Sequence, residues 1–113
     1  DITGVFFTDA NTGIVVGDKG QMRRTTDGGD NWVFQPSGTS GNLFGVFFTS
    51  ASTGTVVGQT GIIRRTTDGG INWESQPGGT TNALLAVFFS GSKTGTIVGR
   101  DGTILRTTDA GGL

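Results

Sequence analysis

The stretch Thr25-Thr26-Asp27-Gly28-Gly29-Asp30-Asn31-Trp32 returns as Thr66-Thr67-Asp68-Gly69-Gly70-Ile71-Asn72-Trp73, and it starts a third time as Thr107-Thr108-Asp109-Ala110-Gly111. The step from Asp27 to Asp68 is 41 residues, and the step from Asp68 to Asp109 is 41 again. Other landmarks keep the same register. Val5-Phe6-Phe7 recurs as Val46-Phe47-Phe48 and Val87-Phe88-Phe89, and Val15-Val16-Gly17 as Val56-Val57-Gly58 and then Ile97-Val98-Gly99. The first two units share about 25 of 41 positions without a gap. A chain with this period folds as a row of equivalent units, each burying its apolar face on the next.

Within a unit, short β-branched and aromatic runs alternate with turn residues, which predicts four strands. Strand a runs over Ile2 to Thr8, strand b over Ile14 to Gly17, strand c over Gln21 to Thr26 and strand d over Trp32 to Gln35, where Pro36 ends it because it cannot donate to a ladder. Asp9 to Gly13, Asp18-Lys19-Gly20 and the repeated octet are the turns between them. Four strands in roughly 40–45 residues is the period of a β-propeller blade. The expected fold is therefore all-β, with antiparallel four-stranded blades over residues 1–41, 42–82 and 83–113. The third blade lacks its outer strand, giving about two and three-quarter blades. Closed propellers hold about 4–8, so the expectation is an incomplete propeller or a segment of a larger one, either self-associating or part of a longer chain. The start at Asp1 without Met reads the same way, as a processed protein or an excerpt.

The octet reads as Thr-x-Asp-x-Gly-x-x-Trp. Its glycines supply positive φ to a tight turn. Its Asp accepts hydrogen bonds from backbone amides a few residues on. Its Trp opens the next strand and folds a large apolar ring over the turn. These residues resemble the Asp-box, or BNR, repeat, whose usual pattern is Ser-x-Asp-x-Gly-x-Thr-Trp. Thr25 and Thr66 stand in its Ser slot, and Asn31 and Asn72 in its Thr slot. The resemblance implies that Asp27, Asp68 and Asp109 stabilise turns and do not catalyse. The structural set is then Thr25, Asp27, Gly29 and Trp32; Thr66, Asp68, Gly70 and Trp73; and Thr107, Asp109 and Gly111. The whole unit, from Val-Phe-Phe through Arg-Thr-Thr-Asp-Gly-Gly to Trp, resembles the photosystem II assembly and stability factor-like repeat family over essentially the full chain.

Composition closes off several chemistries. With no Cys and no His, thiolate and imidazole sites are excluded, and no metal or cofactor is expected. A formal net charge of -1 gives no electrostatic pull toward nucleic acid. No apolar run approaches the ~18 residues of a spanning helix. Sialidases share the Asp-box, but their chemistry needs a Tyr nucleophile, and this chain has none. Other glycosidases need two suitably spaced carboxylates. Outside the octets stand Asp1, Asp9, Asp18, Asp30, Glu74 and Asp101, and turn chemistry accounts for Asp18 and Asp101.

Arg24, Arg65 and Arg106 occupy one repeat position, with Arg23 and Arg64 beside two of them and Leu105 beside the third. Neighbours on a strand point to opposite faces, so the three share one orientation. They either cap carbonyls between blades or present a basic arc to an acidic partner, and in the photosystem family an arginine-bearing surface is implicated in partner binding. The leading expectation is a non-enzymatic module for protein or glycan binding and assembly. The alternative is a fragment of a secreted glycan-active propeller whose catalytic groups lie elsewhere. The use of such repeats by bacterial surface and secreted proteins sets an expectation of an extracellular, cell-surface or periplasmic location.

Overall fold

Apolar runs of four to six residues, cut by Gly, Asp, Asn and Thr, leave no segment long enough for a stable helix. The chain accordingly forms short strands. The computed structural model describes residues 1–108. It contains β1 (Ile2–Phe7), β2 (Gly13–Gly17), β3 (Met22–Thr25) and β4 (Val33–Phe34); β5 (Leu43–Phe48), β6 (Gly54–Gly58), β7 (Ile63–Thr66) and β8 (Glu74–Ser75); and β9 (Leu84–Phe89), β10 (Gly95–Gly99) and β11 (Ile104–Thr107). Each group is one antiparallel meander, with strand orders β1-β2-β3-β4, β5-β6-β7-β8 and β9-β10-β11. The registers repeat as well: Val5 faces Val15 and Val46 faces Val56, while Arg24 faces Val33 and Arg65 faces Glu74. Strand d is shorter than expected, and Trp32 and Trp73 each sit just ahead of it.

Two turn chemistries set these registers. The β2–β3 turn has Lys19 at φ 60° and Gly20 at φ 72°, closed by the Gln21 amide donating to the Asp18 carbonyl at 3.1 Å. Positive φ at both central residues is the type I′ hairpin, whose twist matches the strands it joins. Thr60-Gly61 and Asp101-Gly102 repeat it. Gly20 is needed for a second reason: a Cβ there would lie 1.9 Å from the Thr39 carbonyl oxygen of the linker to the next sheet.

The sheets stack face to face and approach most closely along their first strands, β1 on β5 and β5 on β9, with β2 on β5 and β6 on β9 next. Gly4, Gly45 and Ala86 are small where this approach is tight. A Cβ on Gly4 would stand 3.3 Å from the Phe44 carbonyl oxygen, and one on Gly45 3.2 Å from the Ala86 Cα. The Thr3 hydroxyl donates to the Leu43 carbonyl, and the Lys19 amide donates to Asn42 Oδ1 at 2.9 Å. This is propeller packing: blades joined by the main chain at their rims and by apolar layers between their faces.

Two apolar layers result. Ile14, Val16 and Met22 of the first sheet meet Leu43, Val46, Phe48, Val56 and Trp73 of the second. Val57 and Ile63 of the second meet Leu84 and Ile97 of the third. Phe6, Phe47 and Phe88 run across the inner strands with ring centroids 4.8 and 4.9 Å apart. Equivalent residues therefore differ in burial according to whether a neighbouring sheet is present. Leu43 is fully buried while Ile2, its counterpart, is 51% exposed; Ile63 is 2% exposed while Ile104 is 71% exposed. Val5, Phe88 and Val98 are also exposed at the two outer faces.

This contrast supplies an internal control. Leu43→Ala is expected to lower unfolding free energy by about 2–5 kcal/mol, as for other buried Leu truncations. Ile2→Ala, at the same repeat position, is expected to cost less than about 1 kcal/mol. Urea denaturation of both variants checks the difference; equal costs would contradict the stacking described.

Candidate functional site: the octet turns and the arginine column

The octet follows β3 and β7 and is built outward from a buried hydroxyl. Thr25 is 1% exposed. Its Oγ1 donates to Asp27 Oδ1 at 2.8 Å and accepts the amides of Asp27 and Gly29 at 3.3 and 3.0 Å. Asp27 Oδ1 accepts the Asn31 amide at 2.9 Å, and Oδ2 accepts the Asn31 side-chain amide at 2.8 Å. Gly28 and Gly29 take φ 75° and 101°, which closes the loop. The second octet repeats this with Thr66, Asp68 and Asn72 at matching distances, and adds the Ile71 amide to Asp68 Oδ1 at 3.1 Å. The amides of Gly28 and Gly69 donate to the carbonyls of Asn11 and Ser52, tying each octet to the first turn of its own sheet. Thr107 is buried at the equivalent place in the third unit. Asp109 and Gly111 lie outside the described residues.

Donors converging on one carboxylate favour its charged form. Asp27 and Asp68 are each lowered to about 2, first by the backbone amide of Asn31 or Asn72, then by the same residue's side-chain amide, then by Thr25 or Thr66. Asp9 is also lowered, by the amides of Asn11 and Thr12 that cap its own turn. These carboxylates serve the turns. A catalytic acid or base would need a pKa near the working pH, and the octet carboxyls are moved away from it. Among the described residues, no group of three or more carboxylates is placed to hold a metal, and no helix is long and apolar enough to cross a membrane.

The tryptophans close the turns unequally. Trp73 is 8% exposed. Its Nε1 donates to the Gly70 carbonyl at 3.0 Å, and its ring meets Phe48 edge-on at 6.0 Å. Trp32 meets Phe7 in the same way at 6.1 Å but stays half-buried, because it lies on the outer face of the first sheet.

The arginine column is partly engaged between sheets. Arg24 Nε donates to the Gly69 carbonyl of the next octet at 3.1 Å. Arg65 Nε is buried without a hydrogen-bond partner; the equivalent acceptor falls at position 110, outside the described residues. Arg106 is exposed. Beside the column, Arg64 Nη1 donates to the Trp73 carbonyl at 3.4 Å. Sequence reasoning did not single out that contact, nor the side-chain amides of Asn31 and Asn72. The only available signal was that Asn repeats in a slot where the family pattern has Thr.

Two outcomes follow from this geometry. Trp73→Ala is expected to cost about 3–5 kcal/mol, as for a buried aromatic, and Trp32→Ala clearly less, by thermal or urea melting. For Asp27 and Asp68, the folded pKa near 2 lies below the ordinary 3.8. Their stabilisation is thus fully present above about pH 4 and is lost as pH falls through 2. The melting temperature is expected to drop across that window, and D68N is expected to flatten the drop. A D68N profile parallel to wild type would contradict the assignment.

The family described as photosynthesis system II assembly factor YCF48 matches residues 1–75 and again residues 35–113. Among solved structures, YCF48 bound to D1 peptide superposes with a TM-score of 0.86 at 28% identity, covering 97% of this chain and 37% of that one. YCF48 from Cyanidioschyzon merolae gives a TM-score of 0.84 at 25% identity, with the same coverage of 97% and 37%. The chain thus spans 37% of the length of these relatives. No curated protein matches the sequence. The expected extracellular, cell-surface or periplasmic location is corrected by these matches: the family is defined by photosystem assembly, and the shared repeat carries no implication of a cell-surface protein. The two family matches overlap and together run the length of the chain, so this chain belongs to the photosystem II assembly factor family of BNR-repeat β-propellers.

Proposed function

We propose that the chain is a non-enzymatic binding module that holds a protein segment during assembly of a larger complex. The observation that carries this reading is the superposition, over 97% of the chain, on a relative whose structure is described as bound to D1 peptide. Three features support it. The octet carboxylates are committed to their own turns, so the chain's most regular acidic residues are unavailable as catalysts. We take the blades as residues 1–41, 42–82 and 83–113; in the described residues apolar layers join neighbouring sheets and a rim hydrogen bond joins the first two. The arginine position retains donors beyond its inter-blade contact: Arg24 uses Nε toward Gly69, and Arg106 is exposed. We assign partner contact to Arg24, Arg65 and Arg106, which suits a peptide bearing carboxylates. The apolar outer faces around Ile2 and Ile104 support a second mode of association, with further blades of the same repeat.

The test is calorimetric titration of a D1 peptide into the chain at low and at raised ionic strength. Binding is expected, weakening as salt rises because exposed charges are screened. R106A is expected to weaken it a few-fold, on the order of an exposed ion pair, without lowering the melting temperature. Absence of binding, or binding indifferent to both salt and R106A, would overturn the assignment.

A further inference from the structure

At the end where each first strand turns back, the surface dips twice in the same way. The first pocket lies between the first and second sheets, holds about 220 Å³, and has Phe6, Thr8, Phe48, Thr49 and Ser50 among its walls. The second lies between the second and third sheets, holds about 290 Å³, and has Phe47, Thr49, Phe89 and Ser90 among its walls. One 41-residue step carries Phe6, Thr8, Phe48 and Thr49 onto Phe47, Thr49, Phe89 and Ser90. Thr49 borders both pockets, so the two are adjacent. Neither end of the chain accounts for them. The first junction has its octet complete with Trp73, and the second pocket opens beside a middle sheet that has a neighbour on each face. Phe47 stays half-buried in that middle sheet, with ring surface left over.

The lining says what kind of group fits. None of the residues lining either pocket is charged. The polar groups at the lips are spent inside their own turns. The amides of Thr8, Thr49 and Ser90 donate to the carbonyls of Thr12, Thr53 and Thr94 at 2.9, 2.9 and 3.0 Å. Their hydroxyls turn to the same three carbonyls at 3.4, 3.5 and 3.5 Å. Ser50 Oγ accepts the amides of Ser52 and Thr53 at 3.3 and 3.2 Å. What is left for a ligand is the ring surface of Phe6 and Phe47, whose centroids lie 4.8 Å apart. A charged group seated there would lose water without gaining a counter-charge. An aliphatic side chain buries apolar area without that penalty.

We propose that the two pockets are successive seats for the aliphatic side chains of an extended peptide that crosses the blades. Alternate residues of such a chain point to one side, one to each pocket, and the residue between them points to solvent. The inference rests on the reading that the chain holds a protein segment. It adds a selectivity for uncharged side chains that the arginine position does not supply.

The probe is the neutral, end-blocked peptide Ala-Leu-Ala-Leu-Ala, added to the isotopically labelled 113-residue chain and followed by NMR shifts. Saturable binding is expected, with shifts centred on Thr8, Thr49 and Ser90 and an affinity that raised ionic strength does not weaken. The isomer Ala-Ala-Leu-Leu-Ala points its leucines to opposite sides and can seat only one, so it is expected to bind about tenfold more weakly. Thr49→Lys puts a charge at the border of both pockets and is expected to weaken binding by a similar factor at an unchanged melting temperature; Ser90→Lys carries the same test on the second pocket alone. No saturable binding, equal binding of the two isomers, or shifts centred elsewhere would overturn the proposal. The D1 peptide, titrated alongside, separates this inference from the reading beneath it. If it binds while Thr8, Thr49 and Ser90 keep their shifts, the pockets are not its seats and the peptide reading stands. If it fails to bind while the alternating peptide seats as described, the pockets stand and the D1 assignment falls.

Discussion

The junction of the first two sheets depends on the insertion of an octet tryptophan, Trp73, into the apolar layer that they share. The octet makes this possible in steps. The Thr66 hydroxyl and the Asp68 carboxylate absorb the turn's amides, so the turn can be tight without orphaned donors. The tight turn brings Trp73 back over Gly70, where its Nε1 finds a carbonyl. The ring is then free to spend its apolar surface on Phe48 and on the first sheet's Ile14, Val16 and Met22. Gly70 itself is pressed against that sheet, since a Cβ there would come within 2.5 Å of Ile14 Cδ1. Arg24 adds a polar latch at the same junction, from the first sheet to the Gly69 carbonyl. A local turn motif is in this way also the joint between neighbouring blades.

An array of sheets stacked through such layers, with a tryptophan in the first and aliphatic residues alone in the second, has properties set by its nearest neighbours. Each layer is complete only where both sheets supply their half, so burial falls off at the two outer faces although the sequence there is unchanged in kind. Ile2, Val5, Phe88 and Ile104 are core residues lacking a neighbouring sheet. The rims are a different material: glycines at positive φ, hydroxyls and carboxylates consumed by main-chain amides. That division suits a scaffold. The joints give stiffness, and Arg106, whose counterpart Arg24 is the latch of the first joint, is exposed.

Much of the fold can be read directly from the sequence, because the repeat carries it. A 41-residue period with Val-Phe-Phe, a Gly-ended apolar run and an Arg-Thr-Thr run predicts a meander, and the three sheets form on those segments. Asp in a glycine-rich turn is legible as an acceptor for nearby amides. Which residue saturates its second oxygen is not, because Asn31 and Asn72 act through side chains whose direction the spacing leaves open. The arginine column was legible as one orientation per unit. Its acceptor was not, since Gly69 is 45 residues from Arg24 and belongs to another sheet. Strand d was read as too long. Its tryptophan serves the turn and the layer instead of the ladder, and only Val33–Phe34 and Glu74–Ser75 pair. Location was misread because the repeat alone carries no cellular address.

The most direct test of this account is a double-mutant cycle between Ile14 and Trp73, which lie in different sheets and 59 positions apart. Unfolding free energies would be measured for I14A, W73A and the double variant, with I14A and W32A as the control pair. The account predicts a coupling of about 1 kcal/mol for Ile14 with Trp73, within the range seen for side chains sharing a core, and a coupling near zero, within about 0.5 kcal/mol, for Ile14 with Trp32. Additive effects in the first pair, or equal coupling in both, would contradict the claim that the octet tryptophan is the joint between blades.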